Sequence, residues 1–174
     1  MNYALIINIL FPAFLILVSI GFIAKKEYGK LIEIGIVLSA YIMFAYLQHR
    51  MKFQIESHII LLVAITASSY IFLGEYINLY EKSKHFDRYL HLFGSFSFAK
   101  FAFSLLQNLI KQPLPRPYDF ILVISLGISI GVLFEIFEFI MDKITKSRHQ
   151  KGLQDTDVDL ICDVIGSIFA AVFV

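Results

Sequence analysis

Apolar residues run through this chain in long blocks, broken at short intervals by clusters of charge, with no strand-like alternation. A helix that crosses a bilayer needs about 20 mostly apolar residues. Six segments fit that length: 4–24, 31–49, 58–80, 87–110, 119–141 and 158–174. The pattern predicts an all-α membrane protein, a bundle of about six transmembrane helices. The first segment lacks the basic start and small-residue cleavage site of a signal peptide and is followed by Lys25 and Lys26. It reads as a first span with its amino end outside. The connections are short and polar: Lys25–Lys30, His49–Glu56, Glu81–Phe86, Lys111–Tyr118 and Lys143–Thr156. Pro113, Pro115 and Pro117 alternate in the fourth, which predicts a stiff, extended link. No linker is long enough to separate two folded bodies, so residues 1–174 are expected to form a single integral membrane domain.

Basic residues in short loops orient such a chain. The first, third and fifth loops carry Lys25, Lys26, Lys30, Lys82, Lys84, Arg88, Lys143, Lys146, Arg148 and Lys151, against Arg50, Lys52, Lys111 and Arg116 in the other two. Ten against four places the odd loops in the cytoplasm and both termini outside, in a multi-pass protein of the inner (plasma) membrane.

Ionisable side chains are costly in a bilayer, so each one inside a span requires a reason. They are Glu75 in the third span, Asp87 and His91 in the fourth, Glu135 and Glu138 in the fifth, and Asp159 and Asp163 in the sixth. The odd spans run toward the cytoplasm with their acids near the far end, and the even ones run away with theirs near the beginning. All seven therefore fall at similar depth near one membrane face. Steps of three and four residues put Asp87, His91, Gly94 and Ser95 on one helical face. The same spacing groups Gly127, Gly131, Glu135 and Glu138, and again Asp159, Asp163, Gly166, Ser167 and Ala170. Each polar face continues into small residues, which permit close helix approach in membranes. Three helices are thus expected to converge on a shared acidic pocket.

A structural reading stands beside this one. Asp87 and Asp155 lie where helix N-caps fall, and Asp142 and Asp157 sit at the water interface. A lone His91 is more often a satisfied core histidine than a ligand, but here it lies one turn from Asp87 and faces four more carboxylates. Lys100, near the middle of its span, lies on the face of Ser97, Ser104 and Gln107. It is expected to snorkel, to pair with an acid (Glu33 is the candidate) or to line a pathway.

Composition agrees with a lipid solvent. The chain is 58% hydrophobic and only 17% charged, with a mean hydropathy of +0.74, against about 25% charged for a soluble domain. A formal net charge of +1 gives no electrostatic drive toward nucleic acid. The one cysteine, Cys162, excludes an intrachain disulfide and reads as a small buried or lipid-facing residue.

Three motifs then resemble a known set. Phe86-Asp87-Arg88-Tyr89-Leu90-His91 is similar to the Asp-Lys/Arg-x-x-His start of a span in VanZ-like membrane proteins and the related YjdF-type family. Glu135-Ile-Phe-Glu138 resembles their Trp-Glu-x-x-Glu helix, with Phe134 in the place of Trp. Gly152 to Gly166 resembles their closing Asp-Thr-x-x-Asp-x-x-x-Asn-x-x-Gly segment, with Asp163 where Asn is usual. The match covers about half the chain, and the last motif is the most specific. VanZ-like proteins are associated with resistance to glycopeptide antibiotics, so the resemblance implies a cell-envelope setting without naming a reaction.

Three functions fit these residues. One is an intramembrane enzyme acting on a membrane lipid or a lipid-linked, phosphorylated substrate. Its ligands to a divalent metal (Mg, Mn or Zn) are expected among His91, Glu135, Glu138, Asp159 and Asp163. Asp87 would support His91, and Glu138, Asp159 and Asp87 are the candidate acid–base groups. The second is a proton- or cation-coupled transporter, which six short helices would build more readily as a homodimer. The third is a non-catalytic lipid- or partner-binding protein, with its acids paired to Arg88, Lys84 or Arg148.

Overall fold

The computed structural model describes residues 3–83, 85–110, 115–145 and 149–174. These residues form helices and no strands, and the chain divides into two compact units, Met1–Lys82 and Ser83–Val174.

The first unit holds α1 (Tyr3–Lys25), α2 (Lys30–Met51), α3 (Ser57–Ser68) and the short α4 (Leu79–Lys82). Lys26, Lys52 and Asn78 take positive φ values of 63°, 55° and 63° and turn the chain out of the helices before them. Between α3 and α4 the chain runs on as a π-helical segment, Ser69–Tyr76, so the third apolar helix stops at Tyr76 rather than at residue 80. The wider turn has a local consequence. Tyr70 and Glu75, five residues apart, face different sides of an α-helix but share one side of a π-helix. Both reach the start of α2. The Tyr70 hydroxyl donates to Glu33 at 2.7 Å, and Lys30 pairs with Glu33 at 3.5 Å and with Glu75. Edge-on ring contacts, Phe11 with Tyr41 and Phe22 with Tyr76, tie α1 to α2 and to the π-helical segment.

The second unit is a three-helix bundle of α5 (Phe86–Leu109), α6 (Arg116–Thr145) and α7 (Leu153–Val172). At 1.5 Å per residue, 20 residues of α7 reach about 30 Å, the thickness of a bilayer's hydrocarbon core. The bundle is apolar outside and polar within. On α6 Leu133, Ile136, Phe139 and Ile144 are exposed while Gly127, Gly131, Glu135 and Glu138 are buried. On α7 Ile161, Ile168 and Phe169 face outward, and Asp159, Asp163, Gly166 and Ser167 face inward. Water as the solvent would reverse that distribution; lipid explains it.

The glycines set the helix separation. A Cβ on Gly131 would lie 2.7 Å from Asp163 Cβ, and one on Gly127 would lie 2.7 Å from Ser167 Cβ and 2.9 Å from Ala99 Cβ. A Cβ on Gly166 would run into the Leu92 carbonyl and Ser95. Away from the acids the bundle closes on Ala99, Phe103, Val123, Ala170 and Ala171.

Among the described residues, five helical stretches are long and apolar enough to cross a membrane: Ile6–Lys25, Lys30–Met51, Ser57–Tyr76, Phe86–Leu109 and Arg116–Thr145. The sixth expected span, α7, has the length, but Asp155, Asp157, Asp159 and Asp163 interrupt its apolar run. The expected proline link also differs. Pro113 lies outside the described residues, the Pro115 carbonyl accepts the Tyr118 N–H at 2.9 Å, and Pro117 belongs to the first turn of α6. A proline there gives up only a donor that has no partner within the helix.

Candidate functional site

The acids and the histidine meet where α5 and α7 begin and α6 approaches its end. From α5 come Asp87 and His91, one turn apart; α6 supplies Glu135 and Glu138, and α7 supplies Asp159 and Asp163. All six residues are buried, with 2–5% of their surface accessible. Counted from Leu153, Asp163 is about 15 Å along its helix, deeper than a span starting at 158 would place it.

The two ring nitrogens of His91 face different surroundings. Nδ1 lies 3.2 and 3.3 Å from the two oxygens of Asp163. A carboxylate accepts there, so Nδ1 is the donor and Nε2 points the other way. Around Nε2 stand Glu135 Oε1 at 3.6 Å, Asp87 Oδ1 at 3.8 Å and Glu138 Oε1 at 4.0 Å. These separations are too long for hydrogen bonds.

His91 Nε2, Asp87 Oδ1, Glu135 Oε1, Glu138 Oε1 and Asp159 Oδ1 are all buried, and none has a hydrogen-bond partner among the described residues. One such atom costs about 1–3 kcal/mol, and more when charged, so five close together mark a place that a bound ion, ordered water or shared protons would satisfy. Their spacing suits a cation. Two donors each about 2.1–2.4 Å from one ion lie no more than about 4.2–4.8 Å apart. Donor atoms of Asp87, His91 and Glu138, and again of His91, Glu135 and Asp159, lie within 4.8 Å of one another.

Neighbouring groups hold the donors in place. The Phe134 ring meets the His91 ring edge-on at 5.4 Å between centroids. Ser95 Oγ donates to the His91 carbonyl at 2.8 Å and Ser167 Oγ to the Asp163 carbonyl at 2.6 Å. The Ser167 hydroxyl is thus spent on its own helix, whereas Ser95 also lies within hydrogen-bonding reach of the Asp163 carboxyl across the bundle.

The connection into α7 also contributes, which the sequence did not signal. Gln150 Nε2 donates to Glu135 Oε2 at 2.7 Å and to the Glu135 carbonyl at 3.1 Å. Asp142 accepts the backbone N–H groups of His149 at 2.9 Å and Gln150 at 3.1 Å, and pairs with His149 Nδ1 at 2.8 Å. Asp142 therefore anchors the loop instead of standing solvated at the interface; Asp157 is exposed.

Other expectations are also revised. Asp87 makes no cap bond and sits buried in the first turn of α5. Gly152, at φ 131°, precedes α7, while Asp155 accepts the Lys151 N–H at 3.2 Å. Asp163 stands on the Nδ1 side of His91 and Asp87 on the Nε2 side. Glu75 lies in the first unit with Lys30. Lys100 Nζ donates to the Phe173 carbonyl at 3.2 Å, at the end of α7, and Glu33 is engaged by Lys30 and Tyr70. Among the described residues Arg88 forms no ion pair with these acids, and Lys151 Nζ lies 3.9 Å from Asp87 Oδ2. Lys84 and Arg148 lie outside the described residues.

Fold and composition together define a helical membrane protein with several apolar helices. The family described as "Predicted membrane protein (DUF2238)" matches residues 3–174, and the chain belongs to that family. It is 39% identical over 104 residues to an uncharacterized protein of Thermotoga maritima, a match covering 57% of this chain and 54% of the relative. The aligned region thus spans about half the length of that relative. No solved structure matches the chain.

Proposed function

We propose that the protein is a metal-dependent enzyme of the inner membrane that acts on a lipid-linked or phosphorylated envelope substrate at the cytoplasmic face. The observation that carries this reading is the set of five buried, unpartnered donors gathered at His91 Nε2. Four carboxylates and one imidazole suit Mg²⁺ or Mn²⁺ and also accept Zn²⁺. In this reading the ligands of the ion would be drawn from Asp87, His91, Glu135, Glu138 and Asp159, and Asp163 and Gln150 would orient His91 and Glu135. Such an ion activates water and neutralises phosphate oxygens. A carboxylate not needed as a ligand then serves as general base, with Glu138, Asp159 and Asp87 as the candidates.

The three motifs that resemble VanZ-like and YjdF-type proteins supply all six residues, which supports an envelope role for the centre. The excess of basic residues in the odd loops favours a cytoplasmic mouth and external termini.

The test is elemental analysis of the purified protein and of Glu138→Gln in mild detergent. Near-stoichiometric metal in the wild type and its loss from a folded Glu138→Gln are expected, followed by turnover in a screen of lipid phosphates. Absence of metal in both, even after divalent ions are added back, overturns the reading. Proton-flux assays in proteoliposomes would then address a relay.

A further inference from the structure

We infer that the centre takes two divalent ions, the second held by Asp87, Asp155 and Asp159 beside the first. This rests on the metal reading and extends it to a two-ion site. Asp87, Asp155 and Asp159 each bring a carboxylate oxygen within 4.8 Å of the other two, a separate triad from those that include His91. Two of the three are not explained by protein contacts. Asp87 Oδ1 and Asp159 Oδ1 are buried without a hydrogen-bond partner, and the residues are 3% and 2% exposed. Asp155, in the first turn of α7, is half-buried. It is anchored through the Lys151 N–H on Oδ2, which leaves a second oxygen to turn toward Asp87 and Asp159.

Charge points the same way. Five carboxylates (Asp87, Glu135, Glu138, Asp155 and Asp159) converge here, and one divalent ion neutralises two of them. Those that stay ionised would repel one another in a membrane-embedded bundle, and a second ion relieves that repulsion. Two ions about 3.5–4 Å apart are the usual solution for such donor sets, and a carboxylate spans that distance with one oxygen on each. Asp87 and Asp159 belong both to the His91 triads and to this one, so they are the bridging residues. The alternative counter-charge is Lys151, whose ammonium lies 3.9 Å from Asp87 Oδ2 with its side chain 34% exposed. A centre built around Lys151 takes one ion.

A pair of ions suits a particular substrate class. It would clamp the attacking and departing oxygens of a phosphoryl group together, which fits the phosphate or diphosphate ester of the proposed reading.

The experiment is Mn²⁺ loading of the full chain in detergent, read by equilibrium stoichiometry and by electron paramagnetic resonance. Two Mn²⁺ per chain with a spin-coupled signal are expected for the wild type. One Mn²⁺ with an uncoupled signal is expected for Asp155→Asn, whose side-chain oxygen still accepts the Lys151 N–H and so preserves the loop. One ion in the wild type, or two in Asp155→Asn, overturns the two-ion inference and leaves the metal reading standing. No Mn²⁺ in either protein overturns both. Because the wild-type count decides alone, poor folding of the variant does not shield the inference.

Discussion

Asp163→Ala tests whether, in the proposed metal reading, Asp163 positions His91 or binds the ion itself. Asp163 touches His91 through Nδ1, at 3.2 and 3.3 Å, while the unpartnered donors gather at Nε2. Removing the carboxylate leaves Nε2 and the four other donors in place. It frees the ring to rotate and to adopt the wrong tautomer. Loss of such a partner weakens metal binding about 10- to 100-fold, or about 1.4–2.7 kcal/mol. Asp163→Asn keeps an oxygen that accepts the Nδ1 proton, so its loss should stay under about tenfold. The assay is competition for Mn²⁺ or Zn²⁺ against a fluorescent chelator in detergent, with a thermal melt of each variant as the folding control. Two results refute the reasoning. Unchanged affinity in Asp163→Ala would mean that the contact does not orient the ring. Complete loss of metal from a folded Asp163→Ala, equal to that in His91→Ala, would make Asp163 a ligand.

Other perturbations test the frame around the site. Gly166→Ala pushes a Cβ against the Leu92 carbonyl, which cannot move without shifting α5, and should cost about 1–3 kcal/mol in a thermal or denaturant melt; Gly35→Ala, inside α2 with nothing within 4 Å, should instead stabilise by about 0.5–1 kcal/mol. Lys30→Met removes the cation beside Glu33 and Glu75 and should destabilise by about 1–3 kcal/mol, with partial recovery when Glu75→Gln is added. Lys100→Met removes a donor from the end of α7 and should cost about 0.3–1 kcal/mol with metal content unchanged. A Lys100→Met protein that folds normally but loses its metal would show that the lysine serves the site.

How far the sequence reaches depends on the distance over which each property is set. Helix positions follow from runs of about 20 apolar residues, a local property, and the helices lie close to where those runs end. The exceptions have local causes that hydropathy does not register. The π-helical turns of Ser69–Tyr76 and the left-handed Asn78 cut the third helix short, and Pro117 joins a first turn that needs no donor. The three polar faces were also legible, because spacing by three and four fixes which side of a helix a residue occupies. In lipid a carboxylate has only other helices to turn to. What spacing cannot fix is the rotation and height of one helix against another. Asp87 and Asp163 are each about one turn from a histidine or a second acid, so either could have supported His91. The choice is made by Gly131, which admits α7 closely enough for Asp163 to reach Nδ1. Gln150 and Asp142 were beyond reach for a different reason. Their role depends on a connection folding back onto α6 over 15 and 7 or 8 residues of chain, a closure with no periodicity to announce it. The composition of the site was therefore visible one helix at a time, while the division between the Nδ1 and Nε2 sides of His91 exists only once three helices are packed.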